Sequence, residues 1–253
     1  MQKFQTTLSK TTHQLNKNLE ISSDKLLIII PAYNEAEAIV NTVMDIKTNT
    51  DFNYIVINDG SSDNTKDVLT AHQINHITHS KNRGLSESIR TGMQYALNNN
   101  YLYVVQFDGD GQHSARDVQK MLNAAARGFD IVCGSRYLND ETSDPTSLKK
   151  AAHNVLQTLF YLRSHQKISD PTCGIRLYNW IVMEAFLRNR YLEVEPSAIA
   201  FLIKKGMKIT EVPVFIKDRE SGESMFRSRK TITKYMFSQC WKMSISSRMW
   251  RFR

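Results

Sequence analysis

The chain is short of cysteine, glycine and long apolar runs. Its three cysteines, Cys133, Cys173 and Cys240, are odd in number and far apart. They make neither a disulfide framework nor a pair of metal ligands, so a reducing, cytoplasmic setting is expected. No apolar run approaches the ~20 residues of a bilayer-spanning helix. Residues 1–25 carry no apolar stretch of the secretory type and read as a polar extension. Glycine numbers only 10 in 253 residues, and none lies in Pro31-Ala32-Tyr33-Asn34-Glu35-Ala36-Glu37-Ala38-Ile39, just after the first apolar run. Without a Gly-rich phosphate loop there, dinucleotide oxidoreductases and P-loop NTPases are excluded. Sugar-phosphate nucleotidyltransferases, which need such a loop with basic residues, are disfavoured for the same reason.

Positive charge is abundant but uneven. Residues 217–253 hold ten Lys/Arg against three acids, which accounts for +7 of the net +8. A nearly neutral body with a basic tail argues against a nucleic-acid partner and for a local anionic surface. Within the tail, Ile232, Tyr235, Met236, Cys240 and Met243 fit one helical face, interleaved with Lys234, Lys242 and Arg248. Trp241 and Trp250 suit a membrane–water interface. A peripheral enzyme on the inner face of the cell membrane, held through residues 230–253, is expected. The plainer alternative is a helix packed on the domain.

Hydrophobic residues make up 41% of the chain, enough for one large core. Leu26 to Pro31 is a continuous apolar run of the buried parallel-strand type. Asn34 is a candidate N-cap for a helix from Glu35 to about Lys47. The pattern continues with a strand at 54–58, a helix near 64–72, a strand at 74–78, a helix near 86–97 and a strand at 101–107. Ser114-Ala115-Arg116-Asp117 reads as a capping box opening a helix to about Ala126. A strand follows at 130–135. Strict alternation implies a mostly parallel sheet covered on both faces, with ligands bound beyond the carboxyl ends of its strands. Beyond it, a polar loop (138–147), helices at 148–164, 180–187 and 196–205, and a strand at 207–215 are expected. Pro213 marks that last strand as an edge.

Three motifs fall at strand ends. Asp108-Gly109-Asp110-Gly111-Gln112-His113 closes an apolar run with two carboxylates spaced i, i+2, which extended backbone would aim to one side. A hard divalent cation relieves their repulsion, and Gln112 adds a neutral oxygen. His113 reads as structural. Asp59-Gly60-Ser61-Ser62-Asp63 is a helix-opening turn whose Asp59 could meet a nucleobase or ribose. Arg83 is a surface charge or a phosphate contact. The plain alternative for Asp108 and Asp110 is a solvated acidic turn.

These stretches, together with NRGLSESIRTGMQYA (82–96), IVCGSRY (131–137), SDPTCGIRLYN (169–179) and EVPVFIKDRESGESMF (211–226), resemble the family 2 glycosyltransferases of GT-A fold. The form closest to them is the dolichol-phosphate-mannose-synthase-like branch, with bacterial polysaccharide-biosynthesis transferases. The resemblance implies an α/β, mostly parallel central sheet flanked by helices. It implies a domain over 26–226, with a nucleotide half at about 26–137 and an acceptor half at about 138–226, followed by a tail at 227–253. It implies an inverting, metal-dependent transfer of sugar from a nucleoside-diphosphate sugar to a polyprenyl-phosphate or lipid-linked glycan, using Mg²⁺ or Mn²⁺. UDP is preferred and GDP possible as the nucleotide. By the same resemblance Pro31, Ala32, Tyr33, Glu35, Asp59, Arg83, Asp108 and Gly109 would contact the donor. Asp108, Asp110 and Gln112 would hold the ion. Arg136 and Arg219 would meet phosphate charge, and Ser224 would sit on a loop over the donor.

A hydroxyl acceptor needs a general base; Asp170 is the first candidate, Glu195 the second and Glu193 the third. Asp170 could equally be a turn residue before Pro171. An ionised lipid phosphate needs no base, and then Arg136, Arg176 and Arg219 matter more. A non-catalytic sugar-nucleotide-binding protein is the remaining alternative.

Overall fold

The computed structural model describes residues 22–138, 147–217, and 233–235, 237–239 and 241–242 of a C-terminal helical segment. A 3-10 turn at Ser23–Lys25 leads into β1 (Leu26–Ala32). There follow α1 (Ile39–Asn49), β2 (Asn53–Asn58), α2 (Thr65–Ala71), β3 (His76–Thr78), α3 (Leu85–Asn98), β4 (Tyr103–Gln106), α4 (Arg116–Ala126) and β5 (Ile131–Ser135). The second half contributes α5 (Ser147–Ser164), β6 (Arg176–Asn179), α6 (Trp180–Arg188), α7 (Pro196–Lys204) and β7 (Ile209–Pro213).

The seven strands form one sheet in the order β3-β2-β1-β4-β6-β5-β7. All run parallel except β6, which is antiparallel to both β4 and β5. The sequence pattern did not reveal β6. Its four residues, RLYN, follow a Pro/Gly-rich turn and run straight into α6, so no period-2 signal develops. This strand separates β4 from β5, which chain order alone would make neighbours. β7 is the edge, where Pro213 is tolerated.

Burial alternates along β1. Leu27 and Ile29 join one core cluster, with Ile89, Met93 and Ala96 of α3. Leu26, Ile28 and Ile30 join the other, with Ile39, Val43 and Ile46 of α1. The continuous apolar run is therefore a strand covered on both faces, as parallel strands are. Pro31 does not end β1; the strand pairs on through Pro31↔Ile57 and Ala32↔Asn58. The Ala32 carbonyl accepts from Asp59 N–H on the β2 side, while the Ile29 carbonyl accepts from Phe107 N–H on the β4 side. Alternation aims the missing Pro31 N–H toward β4, whose pairing stops at Ile29↔Gln106, so no ladder bond is lost.

Two expected caps do not form. Asn34 has φ 58°, and α1 begins only at Ile39, without a side-chain cap. The α4 N-cap is Ala115, not Ser114. The Ala115 N–H is satisfied instead by Asp45 Oδ2 at 2.8 Å, a partner from α1 that no local pattern discloses. Asp117 accepts from Phe215 N–H at 2.9 Å and pairs with Lys120. Among the described residues no helix is long and apolar enough to cross a membrane.

Candidate active site

The ends of β1 and β2 are stitched together side chain to backbone. Asn34 N–H donates to Ser61 Oγ (3.0 Å), and Ser62 N–H donates back to Asn34 Oδ1 (2.9 Å). Glu35 N–H donates to Thr65 Oγ1 (3.0 Å) and Ala36 N–H to Asp63 Oδ2 (3.3 Å). These bonds fix the turn that carries Tyr33 and Glu35, just beyond Pro31 and Ala32 at the end of β1. Tyr33 is exposed, while Ala32 is buried. Left-handed Asn34 is what lets its amide reach Ser62.

Asp59 is buried and almost saturated. His79 Nδ1 lies 2.7 Å from Oδ1, Arg83 N–H donates to Oδ1 at 3.0 Å, and Gly84 N–H donates to Oδ2 at 2.7 Å. The carboxylate thus ties the Asn82–Gly84 turn to the end of β2 and sets Arg83 beside it. Gly60 completes the approach: with φ +65° and Lys81 C 2.4 Å from where a Cβ would stand, no side chain fits there. His79 carried no local signal, since its partner lies 20 residues away.

Asp108 and Asp110 follow β4, but not in extended backbone. Residues 109–110 form a turn, and Gly111 has φ 76°. The strand alternation expected of the pair therefore fails; the turn brings Asp110 Oδ1 onto Gln112 N–H at 3.1 Å and buries its side chain. Gly109 is needed for packing, since an added Cβ would meet the Pro31 carbonyl oxygen at 3.0 Å. Thr42 Oγ1 of α1 donates to the Gly109 carbonyl at 3.0 Å. Asp108 Oδ2 lies 3.3 Å from buried His113 Nε2. Burial works to raise the Asp108 pKa, but the hydrogen bond and charge of His113 outweigh it and hold the carboxyl below its ordinary value. Gln112 is clipped to Lys217 in both directions: Lys217 N–H donates to the Gln112 carbonyl (2.8 Å), and Gln112 Nε2 donates to the Lys217 carbonyl (3.2 Å).

Among the described residues no group of three or more His, Cys, Asp and Glu side chains could hold a metal by itself. The donor set is two carboxylates, with the Gln112 amide oxygen left over once its nitrogen is used. All are hard oxygens. Mg²⁺-type sites use one or two carboxylates and complete their shell with substrate phosphates. The residues fit such an ion on condition that a diphosphate shares it.

The turn at 169–174 brings the second half of the chain up to this acidic turn. A Cβ on Gly174 would stand 2.2 Å from Asp108 Oδ2, so the two turns are in contact. In the same loop Asp170 takes a two-pronged ion pair from Arg136, with Nε at 2.6 Å and Nη2 at 2.9 Å. Thr172 Oγ1 and Arg136 N–H also donate to it. Burial pushes the Asp170 carboxyl up, but Arg136 and Thr172 prevail and hold it below its ordinary value. A carboxylate so engaged is a poor proton acceptor; it orients Arg136 instead. The Arg136 side chain remains 40% exposed. The neighbouring thiols are inert, since burial pushes Cys133 up to about 12 and Cys173 higher still.

Glu193 and Glu195 are engaged elsewhere. Lys242 Nζ bonds to both, and Gln239 Nε2 donates to Glu195 Oε2 at 2.7 Å. They hold the C-terminal helical segment. The loop before them hangs on Arg90, whose guanidinium donates to the carbonyls of Phe186, Asn189, Arg190 and Leu192. Buried Arg176 donates to the carbonyls of Pro171 and Val194, linking this loop to the 169–174 turn. On the C-terminal segment Gln239 is buried against the domain, while Phe237 and Trp241 are 72% and 59% exposed. Arg219 and Ser224, and with them Met236, Cys240 and Trp250, lie outside the described residues.

A seven-stranded, mostly parallel sheet flanked by helices, with polar and acidic turns at its carboxyl edge, is the architecture of the GT-A fold. The family model described as glycosyl transferase family 2 matches residues 27–186, more than half of the chain, and the chain belongs to that family. It is 27% identical over 215 residues to a UDP-N-acetylglucosamine–dolichyl-phosphate N-acetylglucosaminyltransferase of Methanococcus voltae, covering 76% of this chain and 86% of that one. It is 28% identical over 234 residues to the polyprenol monophosphomannose synthase of Mycolicibacterium smegmatis, covering 85% of each. Among solved structures, glucosyl-3-phosphoglycerate synthase of Mycobacterium tuberculosis with Mn²⁺, UDP and glucosyl-3-phosphoglycerate shares the fold at TM-score 0.66 and 16% identity. That likeness covers 88% of this chain and 79% of the other.

Proposed function

We propose that this glycosyltransferase moves a sugar, with inversion, from a nucleoside-diphosphate sugar to a polyprenyl phosphate, aided by Mg²⁺ or Mn²⁺. The observation that carries the reading is the state of Asp170. The carboxylate best placed by sequence to act as a base is buried, paired with Arg136 and held in its ionised form. An acceptor hydroxyl would need a base, whereas a lipid phosphate arrives ionised and needs a cation to hold it. Arg136, half exposed and oriented by Asp170, serves that need. Two relatives, one named for transfer to dolichyl phosphate and one for synthesis of polyprenol monophosphomannose, support the same acceptor class.

On the donor side, Asp108, Asp110 and Gln112 would share the ion with the diphosphate. When bound, the ion supplies Lewis-acid stabilisation of the departing nucleoside diphosphate. Pro31, Ala32, Tyr33 and Glu35 would line the nucleoside, with Arg83 toward phosphate. Arg219, toward phosphate charge, and Ser224, on a loop over the donor, remain assignments drawn from the family pattern. A carboxylate has about four acceptor positions, and three donors already occupy Asp59. One position suits uracil, whose pairing edge presents a single N–H, better than guanine, which presents two donors. UDP is therefore the preferred nucleotide, in keeping with the neighbour that holds it. The C-terminal segment, gripped through Gln239 and Lys242 and exposing Phe237 and Trp241, would face an anionic membrane with the rest of residues 230–253.

The test is direct transfer. Purified protein is given UDP- or GDP-sugars with polyprenyl phosphate or free polyprenol, with Mn²⁺, Mg²⁺ or a chelator. Sugar–phosphoryl–polyprenol should form with UDP-sugar and metal, and not with free polyprenol. Transfer to the free alcohol at equal rate would refute the acceptor reading.

A further inference from the structure

Glu211 lies on edge strand β7, half-buried, in register with Cys133 of β5. Its carboxylate has no part in the chemistry above, yet it accepts three hydrogen bonds from two consecutive residues. Oε2 takes Ser169 N–H at 2.7 Å; Oε1 takes Ser169 Oγ at 3.0 Å and Asp170 N–H at 2.9 Å. Because a carboxylate only accepts, the Ser169 hydroxyl hydrogen goes to Glu211. Ser135 Oγ, 2.6 Å from Ser169 Oγ, must then be the donor to it. The Ser169 carbonyl accepts from His153 Nε2 at 2.9 Å and Gln157 Nε2 at 2.6 Å. Every polar group of Ser169 is thus held, and the backbone of Asp170 with it.

The consequence reaches Arg136. Its guanidinium is oriented by the two prongs on Asp170 and by Nη2 on Thr172 Oγ1 at 2.9 Å. A fork of this kind tolerates little displacement of the carboxylate. We propose that Glu211 is a positioning residue: it fixes the Ser169–Asp170 backbone so that Asp170 presents Arg136 to the acceptor phosphate. This rests on the reading of Arg136 given above. Replacing Glu211 by Gln keeps its size but turns one acceptor into an amide donor facing an N–H. Asp170 retreats and the fork loosens. Donor binding, built on β1, β2 and β4, is untouched.

The experiment measures transfer with polyprenyl phosphate as the varied substrate, for Glu211→Gln, Arg136→Lys and the double variant. The loss of one charge-assisted bond at Arg136 should raise acceptor KM about tenfold in Glu211→Gln, with donor KM unchanged. In the Arg136→Lys background, where no two-pronged pair exists, Glu211→Gln should add nothing further. A general weakening of the fold would multiply with Arg136→Lys instead. Multiplying effects, or an unchanged acceptor KM in Glu211→Gln, would overturn the proposal while leaving the acceptor reading intact. An unchanged acceptor KM in Arg136→Lys would bring down the acceptor reading, and this one with it. Should Glu211→Gln fail to fold, Ser169→Ala carries the test. It removes one of the three bonds, and an acceptor KM equal to that of the unaltered protein overturns the proposal.

Discussion

Gly174→Ala separates the integrity of the site from the integrity of the fold. The added Cβ would stand 2.2 Å from Asp108 Oδ2, 3.1 Å from its Cγ and 3.3 Å from His113 Nε2. An ordinary carbon–oxygen contact is about 3.3 Å, so the carboxylate must move by about 1 Å. The backbone raises no objection, because Gly174 is not among the glycines with positive φ. Overpacking of this size costs about 1–3 kcal/mol. The lower entropy of the unfolded chain returns about 0.4–1 kcal/mol. The balance, about 1–2 kcal/mol, lowers the melting temperature of a chain this long by only a few degrees. The displaced carboxylate matters far more, since about 1 Å of misplacement can cost ~100-fold in rate. Transfer should fall by about that factor, and the Mn²⁺-dependent thermal stabilisation by UDP should shrink. Near-normal transfer with unchanged metal dependence would show that Asp108 does not act where the two turns meet.

Two further outcomes bear on the fold and on pH. Arg90→Met takes the guanidinium from the carbonyls of Phe186, Arg190 and Leu192, while that of Asn189 keeps the Leu192 N–H. At ~1 kcal/mol or more for each unsatisfied buried acceptor, urea unfolding should show a loss of at least ~3 kcal/mol, and a loss under ~1 kcal/mol would sink this account. Asp170 has a folded pKa below its unfolded value of 3.8, so below about that pH the unfolded chain binds a proton that the native state does not. Stability from this group is complete above that value and is lost as pH falls through the folded pKa. Asp170→Asn should therefore flatten the acid limb of stability against pH, and an unaltered limb would contradict the assignment.

Much of the first half of the fold was legible because its signals are local. Apolar runs closed by polar turns placed β1, β2, β4 and β5, and alternation with helices implied strand ends as the ligand edge. The i, i+2 carboxylates drew attention to this turn, although the extended backbone inferred for it does not form. That inference assumed extended backbone, while Gly109 and Gly111 allow a turn whose own hydrogen bonds are better satisfied. The missed caps have a similar cause: Asn34 and Ser114 are good cap residues by type, but Ser62 and Asp45 offered the backbone partners from other elements. β6 was invisible because four residues between a turn and a helix carry no periodicity.

The sequence by itself determined the class of protein. Seven ordered motifs between residues 28 and 226 resemble family 2 glycosyltransferases, and the family model over residues 27–186 bears that resemblance out. Only the tertiary structure showed which donors the acidic groups take. Asp170 turned from candidate base to anchor of Arg136, Glu193 and Glu195 became the grip on the C-terminal segment, and Glu211 emerged under the 169–170 turn. The physical reason is that a carboxylate's role depends on its donors. Arg136 for Asp170, Gln239 for Glu195 and Ser169 for Glu211 lie 34, 44 and 42 residues away, beyond the reach of any local pattern.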